Sequence, residues 1–271
     1  MRQLRERHDD EPAFVLHTYP YKETSLILET FTERFGRVGM VAKGAKRPRS
    51  ELRGVLQAFQ PLSLSWAGSG ELKTLVKAEW RGGLPLPTGA ALLCGFYLNE
   101  LLMKLLARED PHPALWNDYA SALRALTDDA APAAQAATLR HFELRLLTEL
   151  GYAPTLTRDV TTTKPIEPNE RYHYAFDRGP QLAVAEPRAA WPLVRGATLI
   201  ALATERYPNS ETATEAKRLM RGILDHHLEA RRIVSRRVVQ DLAALEEDSS
   251  PQPSPRTRGE GAQQRERKEP K

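Results

Sequence analysis

The chain predicts an α+β protein built in order: a small all-strand unit, a helical unit, and a tail. Three observations predict it. Between residues 13 and 80 apolar and polar side chains alternate with period two, the pattern of half-buried strands. Past Pro87 the apolar residues recur at helical spacing. From Ser249 the sequence SSPQPSPRTRGEGAQQRERKEPK is Pro, Gly, Ser and charge, with no apolar side chain able to anchor it, which predicts a disordered basic tail over 246–271.

The first strands are read at AFVLH (13–17), SLILETF (25–31) and GRVGMVAK (36–43). Leu62, Leu64 and Trp66 alternate with Ser63 and Ser65, and Leu72, Thr74, Val76, Ala78 and Trp80 alternate with Lys73, Leu75, Lys77 and Glu79. Between these last two runs, Ala67-Gly68-Ser69-Gly70 is a hairpin loop whose glycines are free to take positive φ. Five short strands with no room for crossover helices make a small antiparallel barrel or sandwich. The five-stranded option most often wedded to nucleic acid is the oligonucleotide-binding (OB) barrel, and it is the expected fold of residues 1–82.

Helices follow over 83–245. Thr88 can cap the first, whose stripe includes Leu92, Phe96, Leu98, Leu101, Leu102, Leu105 and Leu106. Pro113 starts a second with Leu115, Trp116, Tyr119, Leu123 and Leu126; a third covers 132–150, with Gly151 at the C′ position. Periodicity is lost over 153–185, where Thr, Pro, Asp and Asn dominate and only Tyr172–Phe176 reads as a strand. That segment is expected to be an irregular excursion. Helical signal returns at 196–206 and from 212 to about 245.

Charge points toward a function. A pI of about 9.2 suits nucleic acid or an anionic surface, and a mean hydropathy of −0.50 excludes an integral membrane protein. No apolar run approaches the roughly 20 residues of a spanning helix, and MRQLRERHDDEP is followed by no secretory apolar segment. Cys94 stands alone among 271 residues, which leaves no internal disulfide and no cysteine-based zinc site, and suits a reducing cytoplasm. The basic charge is concentrated: Arg34, Arg37, Lys43, Lys46, Arg47, Arg49 and Arg53 face a single acid, Glu51, against +4 for the whole chain. A loop so charged is either solvated or a polyanion site. Pro48 between Arg47 and Arg49 stiffens it, and Lys73 and Lys77 on strands extend the track.

Phe14, Phe31, Phe59 and Trp66 fall where a barrel core needs them; Tyr19 and Tyr21, flanking Pro20 in a loop, are the better base-stacking candidates. On the third helix, Arg140 and Arg145 beside Phe142 and Leu146 could hold an acidic peptide end in an apolar groove, or could simply be solvent-facing arginines. The last helices carry Lys217, Arg218, Arg221, Arg231, Arg232, Arg236 and Arg237 against Asp225 and Glu229, a second DNA path or a solvated face. Enzymatic chemistry finds no home. His226-His227 is an adjacent pair, His173 has no carboxylate partner in view, and Ala42-Lys43-Gly44-Ala45-Lys46 lacks Walker spacing. No cofactor is implied.

The order of elements and the residues together resemble the RecO recombination-mediator family. The likeness is carried by Phe14-Val15-Leu16, Glu23-Thr24-Ser25-Leu26-Ile27-Leu28, Phe31-Thr32, Gly36-Arg37, Val41-Ala42-Lys43-Gly44-Ala45 and Leu56-Gln57-Ala58-Phe59-Gln60-Pro61-Leu62. It continues through Tyr97-Leu98-Asn99-Glu100-Leu101-Leu102, Leu139-Arg140-His141-Phe142-Glu143-Leu144 and Leu150-Gly151-Tyr152, and ends weakly at His227-Leu228 and Ser235-Arg236. The resemblance implies a non-enzymatic bacterial repair protein at the nucleoid. Such a protein binds single- and double-stranded DNA, anneals complementary strands, engages the carboxyl tail of single-stranded-DNA-binding protein, and with RecR helps RecA replace it. It also implies a docking site for that tail in the helical domain, with Arg140 at a basic position. Many members carry a four-cysteine zinc site after the Gly-Tyr pair; Thr155–Gly179 has no cysteine, so no zinc is carried over. The rival readings are a sequence-neutral RNA-binding OB protein and a metal-dependent nuclease.

Overall fold

The computed structural model describes residues 6–129, 131–183, 191–228 and 233–236. The predicted tail, the far half of the predicted last helix, and Arg231, Arg232 and Arg237 lie outside the described residues.

Strands β1 (Arg7–Tyr21), β2 (Ser25–Thr32), β3 (Gly36–Ala42), β4 (Leu62–Ala67) and β5 (Leu72–Trp80) close into a barrel of order β1-β2-β3-β5-β4. β1 is long because it serves two neighbours: its second half pairs with β2 and its first half with β4, with register shifts between Val15 and His17 and between His8 and Glu11. Such bulges bend a strand sharply enough to close a small barrel. Four seams are antiparallel. The fifth, β3 with β5, is parallel and only three residue pairs long, Gly39 to Val41 against Leu72 to Thr74. Beyond it the chain between β3 and β4, with the one-turn helix α1 (Leu52–Val55), packs along β5.

The barrel interior is Val15, Leu28, Val38, Met40, Leu62, Leu64, Trp66 and Leu75. Phe14, Leu16, Phe31 and Phe59 are buried too, but in a second core shared with the helices. A strand whose two faces are both covered shows both parities as apolar, which is why AFVL in β1 is a continuous run. Over Leu72–Val76 of β5 the parity is the reverse of the one the alternation suggests, while Ala78 packs on the barrel core and Lys77 and Glu79 are exposed. Lys73 and Leu75 are buried, while Leu72, Val76 and Trp80 are exposed. Tyr19 and Tyr21 belong to the end of β1, paired with Ile27 and Ser25, and not to a loop.

Helices α2 (Gly89–Leu105), α3 (Pro113–Asp128) and α4 (Pro132–Glu149) pack around Leu98, Leu102, Tyr119, Leu123, Phe142 and Leu146. Proline opens α3 and α4 at the position where its missing N–H costs nothing. Thr88 sits at the N-cap of α2 without a side-chain cap bond. Besides the shared core, two close approaches help fix the helices to the barrel. Phe59 packs on α2 at Gly95, where a Cβ would stand 2.9 Å from its ring. The α2–α3 connection crosses the barrel at Gly36 (φ +64°), where a Cβ would stand 1.9 Å from the Asp110 carbonyl oxygen, and Glu109 N–H donates to the Arg37 carbonyl at 2.9 Å.

Residues 153–170 run without helix or strand, as the expected irregular excursion, and the strand expected at Tyr172–Phe176 belongs to a small sheet whose other strands the sequence did not show. β6 (Arg171–Ala175) pairs with β7 (Gly179–Leu182) and β8 (Leu193–Arg195) in an antiparallel sheet. Its organiser is Asp159, whose buried carboxylate accepts from the N–H groups of Thr161 and Thr162 at 2.7 Å and of Leu182 at 2.6 Å. Strands of four or five residues are too short to show a period, and a carboxylate used as a local hub has no periodicity at all. α5 (Gly196–Thr204) and α6 (Ser210–His227) complete the fold, α6 capped by Asn209, which accepts from Thr212 N–H at 2.8 Å.

Candidate nucleic-acid interface and peptide groove

Thirteen cations were candidates for DNA contact, and the structure sorts them. Four on or beside the strands are already spent on acids. Arg34 pairs with Glu11, whose side chain is fully buried, through both its backbone N–H (2.7 Å) and its guanidinium. Arg37 pairs with Glu29 at 3.0 Å, an acid it shares with Arg108. Lys73 is buried and reaches Glu109 at 2.8 Å; Lys77 pairs with Glu79 at 2.8 Å and stands near Asp10. These pairs tie the barrel together and to the α2–α3 connection. They do not supply a free phosphate track.

The loop cations differ. Lys43, Lys46, Arg47, Arg49 and Arg53 are exposed and make no ion pair among the described residues. The loop itself is anchored: Ala45 is buried in the barrel core, and Lys46 N–H donates to the Thr24 carbonyl at 2.9 Å. Successive turns, Arg47 N–H to Gly44 and Ser50 N–H to Arg47, each 3.0 Å, hold the backbone while the side chains stay outside. A fixed backbone bearing free cations loses little entropy on meeting a polyanion. The bond to Thr24 also sets the loop beside the β1–β2 turn, where Lys22 is exposed, its ammonium 5.3 Å from the Tyr21 ring. Lys22 was invisible as a site residue because its nearness depends on that one backbone bond.

The second site is a groove of about 320 Å3 between α2, α4 and α6. Each helix offers one face: Ala90, Leu93, Cys94 and Tyr97 from α2; Gln135, Ala136, Leu139 and Arg140 from α4; Lys217 and Arg221 from α6, with Arg236 closing one wall. The spacings are i, i+3, i+4 and i+7 on α2, i, i+1, i+4 and i+5 on α4, and i, i+4 on α6, each within one helix face. Phe142 and Leu146 are wholly buried in the core on another side of α4, because residues two and six positions from Arg140 are turned far from it on a helix of 3.6 residues per turn. Arg145 is turned to α3, where it pairs with Asp118 at 2.9 Å. Of the four residues expected to hold a partner, only Arg140 lines the groove.

Arg140 is neither a surface arginine nor a lone one. It is 5% exposed, and its guanidinium pairs with Glu143, which also accepts from the Tyr97 hydroxyl at 2.6 Å. Burial works against its charge, yet Glu143 more than offsets that and raises its pKa. Lys217 is in the opposite position: burial, then the neighbouring Arg221 and Arg140, depress its pKa. The groove is thus an apolar trough with more positive charge than its own acids neutralise, the condition for taking an anionic ligand. The arginine-rich last helix had been read as a DNA path; two of its members, Lys217 and Arg221, face this groove instead. The described residues contain no cluster of three or more His, Cys, Asp or Glu able to hold a metal, and no helix long and apolar enough to cross a membrane.

A closed five-stranded OB-type barrel with an exposed cationic loop, joined through a shared core to a helical unit, defines a class of polyanion-binding protein. The comparisons make this specific. Residues 8–83 match the model of recombination protein O, N terminal, and residues 86–237 that of recombination protein O, C terminal. A protein of Aromatoleum aromaticum called DNA repair protein RecO is 50% identical over 89% of this chain and 99% of its own length. Those of the same name from Dechloromonas aromatica and Azoarcus sp. are each 48% identical over 89% of this chain and 99% of their own. The chain belongs to the RecO family, and its role is in DNA repair.

Proposed function

We propose that this protein is a non-enzymatic recombination mediator working at the nucleoid. It binds single- and double-stranded DNA through the 43–53 loop, anneals complementary strands, and with RecR helps RecA displace single-stranded-DNA-binding protein. The observation that carries the reading is the loop, five exposed cations on an anchored backbone with no acid paired to them among the described residues. Lys and Arg neutralise phosphates regardless of sequence and release their counterions. Once two strands are held with their repulsion screened, base pairing supplies the free energy, so no nucleophile or metal is needed.

The groove between α2, α4 and α6 is the proposed dock for the acidic carboxyl tail of single-stranded-DNA-binding protein. An apolar side chain would lie on Leu93, Ala136 and Leu139 while Lys217, Arg221 and Arg236 meet the acids. We divide the chain for function at residues 1–82, the DNA-binding barrel, and 83–245, the partner-binding helical domain, followed by the tail at 246–271.

The test is strand annealing followed in time, on bare complementary strands and on strands coated with single-stranded-DNA-binding protein. Wild type is expected to anneal both. Lys217→Gln/Arg221→Gln is expected to anneal bare strands normally and coated strands at least about tenfold more slowly, since two charge-assisted contacts cost about 1.5 kcal/mol or more. Absence of annealing on either substrate refutes the mediator reading.

A further inference from the structure

The sequence just past the described residues contains a segment unlike the rest of the chain. Asp241-Leu242-Ala243-Ala244-Leu245-Glu246-Glu247-Asp248 carries four acids, no base and two leucines, in a chain whose formal charge is +4. It therefore has the composition the groove selects, apolar side chains beside concentrated negative charge.

The structure places the chain five residues ahead of that segment. Residues 233–236 are bound on the groove's own wall. The Glu100 carboxylate accepts from the N–H groups of Val234 at 2.7 Å and Ser235 at 2.8 Å. Arg236 pairs with Asp225 at 2.7 Å, donates to the Tyr97 hydroxyl at 3.1 Å, and lies over the Tyr97 ring. Ser235 and Arg236 line the groove. Asp241 follows five residues later, within about 17 Å of Arg236 at full extension. Arg140, Lys217 and Arg221 stand on the facing helices of the same cavity.

We propose that Asp241–Asp248 is an intramolecular ligand of the groove between α2, α4 and α6, and that an acidic peptide from outside must displace it. Leu242 and Leu245 are matched to the apolar floor formed by Leu93, Ala136 and Leu139, and the acids to Lys217 and Arg221, the groove cations that make no ion pair among the described residues. The proposal rests on the groove being a site for acidic peptides. Its consequence is quantitative: a short tether gives an effective concentration in the millimolar range. A segment of about 10–100 μM intrinsic affinity would then weaken an outside peptide about ten- to a hundredfold.

The experiment uses the full chain and a fluorescent peptide of four aspartates ending in phenylalanine carboxylate. Asp241→Asn/Glu246→Gln/Glu247→Gln/Asp248→Asn is expected to bind it at least about tenfold more tightly than wild type. Glu260→Gln/Glu266→Gln/Glu269→Gln, a comparable charge change elsewhere in the tail, is expected to leave affinity unchanged. Equal binding by wild type and the quadruple variant, both sensitive to Lys217→Gln/Arg221→Gln, overturns the intramolecular ligand and leaves the groove standing. Binding by neither, or binding indifferent to Lys217 and Arg221, overturns both. Geometry is read separately from charge. Cys94 lines the groove and is the only cysteine, so Leu245→Cys should form an intramolecular bridge with it under a bismaleimide. Products found only as linked dimers, or no product, overturn the proposal.

Discussion

Replacing Lys46, Arg47 and Arg49 with alanine tests the loop most directly, because its effect follows from counting. For a single strand each neutralised phosphate contributes about 0.7 to the slope of log affinity against log salt. Five loop cations give a slope of about −3.5, and affinity falls about a hundredfold between 50 and 200 mM salt. The triple variant retains Lys43 and Arg53, so the slope becomes about −1.4 and the same salt change costs only about sevenfold. At 0.1 M each lost contact is worth about 0.7 of a decade, and three together weaken binding about a hundredfold. The fold should survive, since the side chains are exposed and Lys46 holds the loop through its backbone N–H, which alanine keeps. Fluorescence anisotropy with a labelled oligothymidine across a salt series measures both quantities, and the melting temperature serves as the control. An unchanged slope would refute the loop as the phosphate site; a reduced affinity with unchanged slope would refute the counterion argument even with the loop involved.

Two further outcomes follow from groups the fold has buried. Arg140→Ala removes the partner of a fully buried Glu143, which should cost about 3–5 kcal/mol and lower the melting temperature by at least about 6 °C, measured by calorimetry; a shift under 2 °C, on the order of half a kcal/mol, would show the pair to be dispensable. Asp159 is the acid-sensitive element of the β6–β8 sheet: burial opposes its charge, but the N–H groups of Thr162, Leu182 and Thr161 outweigh this and hold its pKa below the ordinary 3.8. A carboxylate with a depressed folded pKa contributes its stability in full above the unfolded value and loses it as pH falls through the folded one. Asp159→Asn should therefore destabilise the protein at neutral pH and lie closer to wild type in strong acid. Urea melts at several pH values read the difference, and a constant gap across pH would contradict the assignment.

Much of this was legible in the residues themselves. Period-two alternation placed the five strands within a few residues, apart from the early start of β1, and proline and glycine punctuation placed α3 and α4. The basic loop was visible as local composition. What misled was anything settled by a neighbour distant in sequence. Arg34, Arg37 and Lys73 look like the loop cations in the sequence, and differ because Glu11, Glu29 and Glu109 lie beside them in space, whereas Lys77 pairs with Glu79 on its own strand. Phe142 beside Arg140 in sequence suggested one site, yet helical geometry separates them.

The sequence by itself determined the order of the barrel strands and of the main helices, the family, and which stretch of backbone carries concentrated positive charge, because periodicity, turn chemistry and composition are local properties. Only the tertiary structure decided which of those charges remain available. It neutralised Arg34, Arg37 and Lys73 against acids from other strands and loops, buried Arg140 against Glu143, and brought α2, α4 and α6 together so that Lys217 and Arg221 face an apolar trough. Burial, and pairs such as Arg34–Glu11 and Lys73–Glu109, depend on contacts across tens of residues, and a linear reading has no term for them.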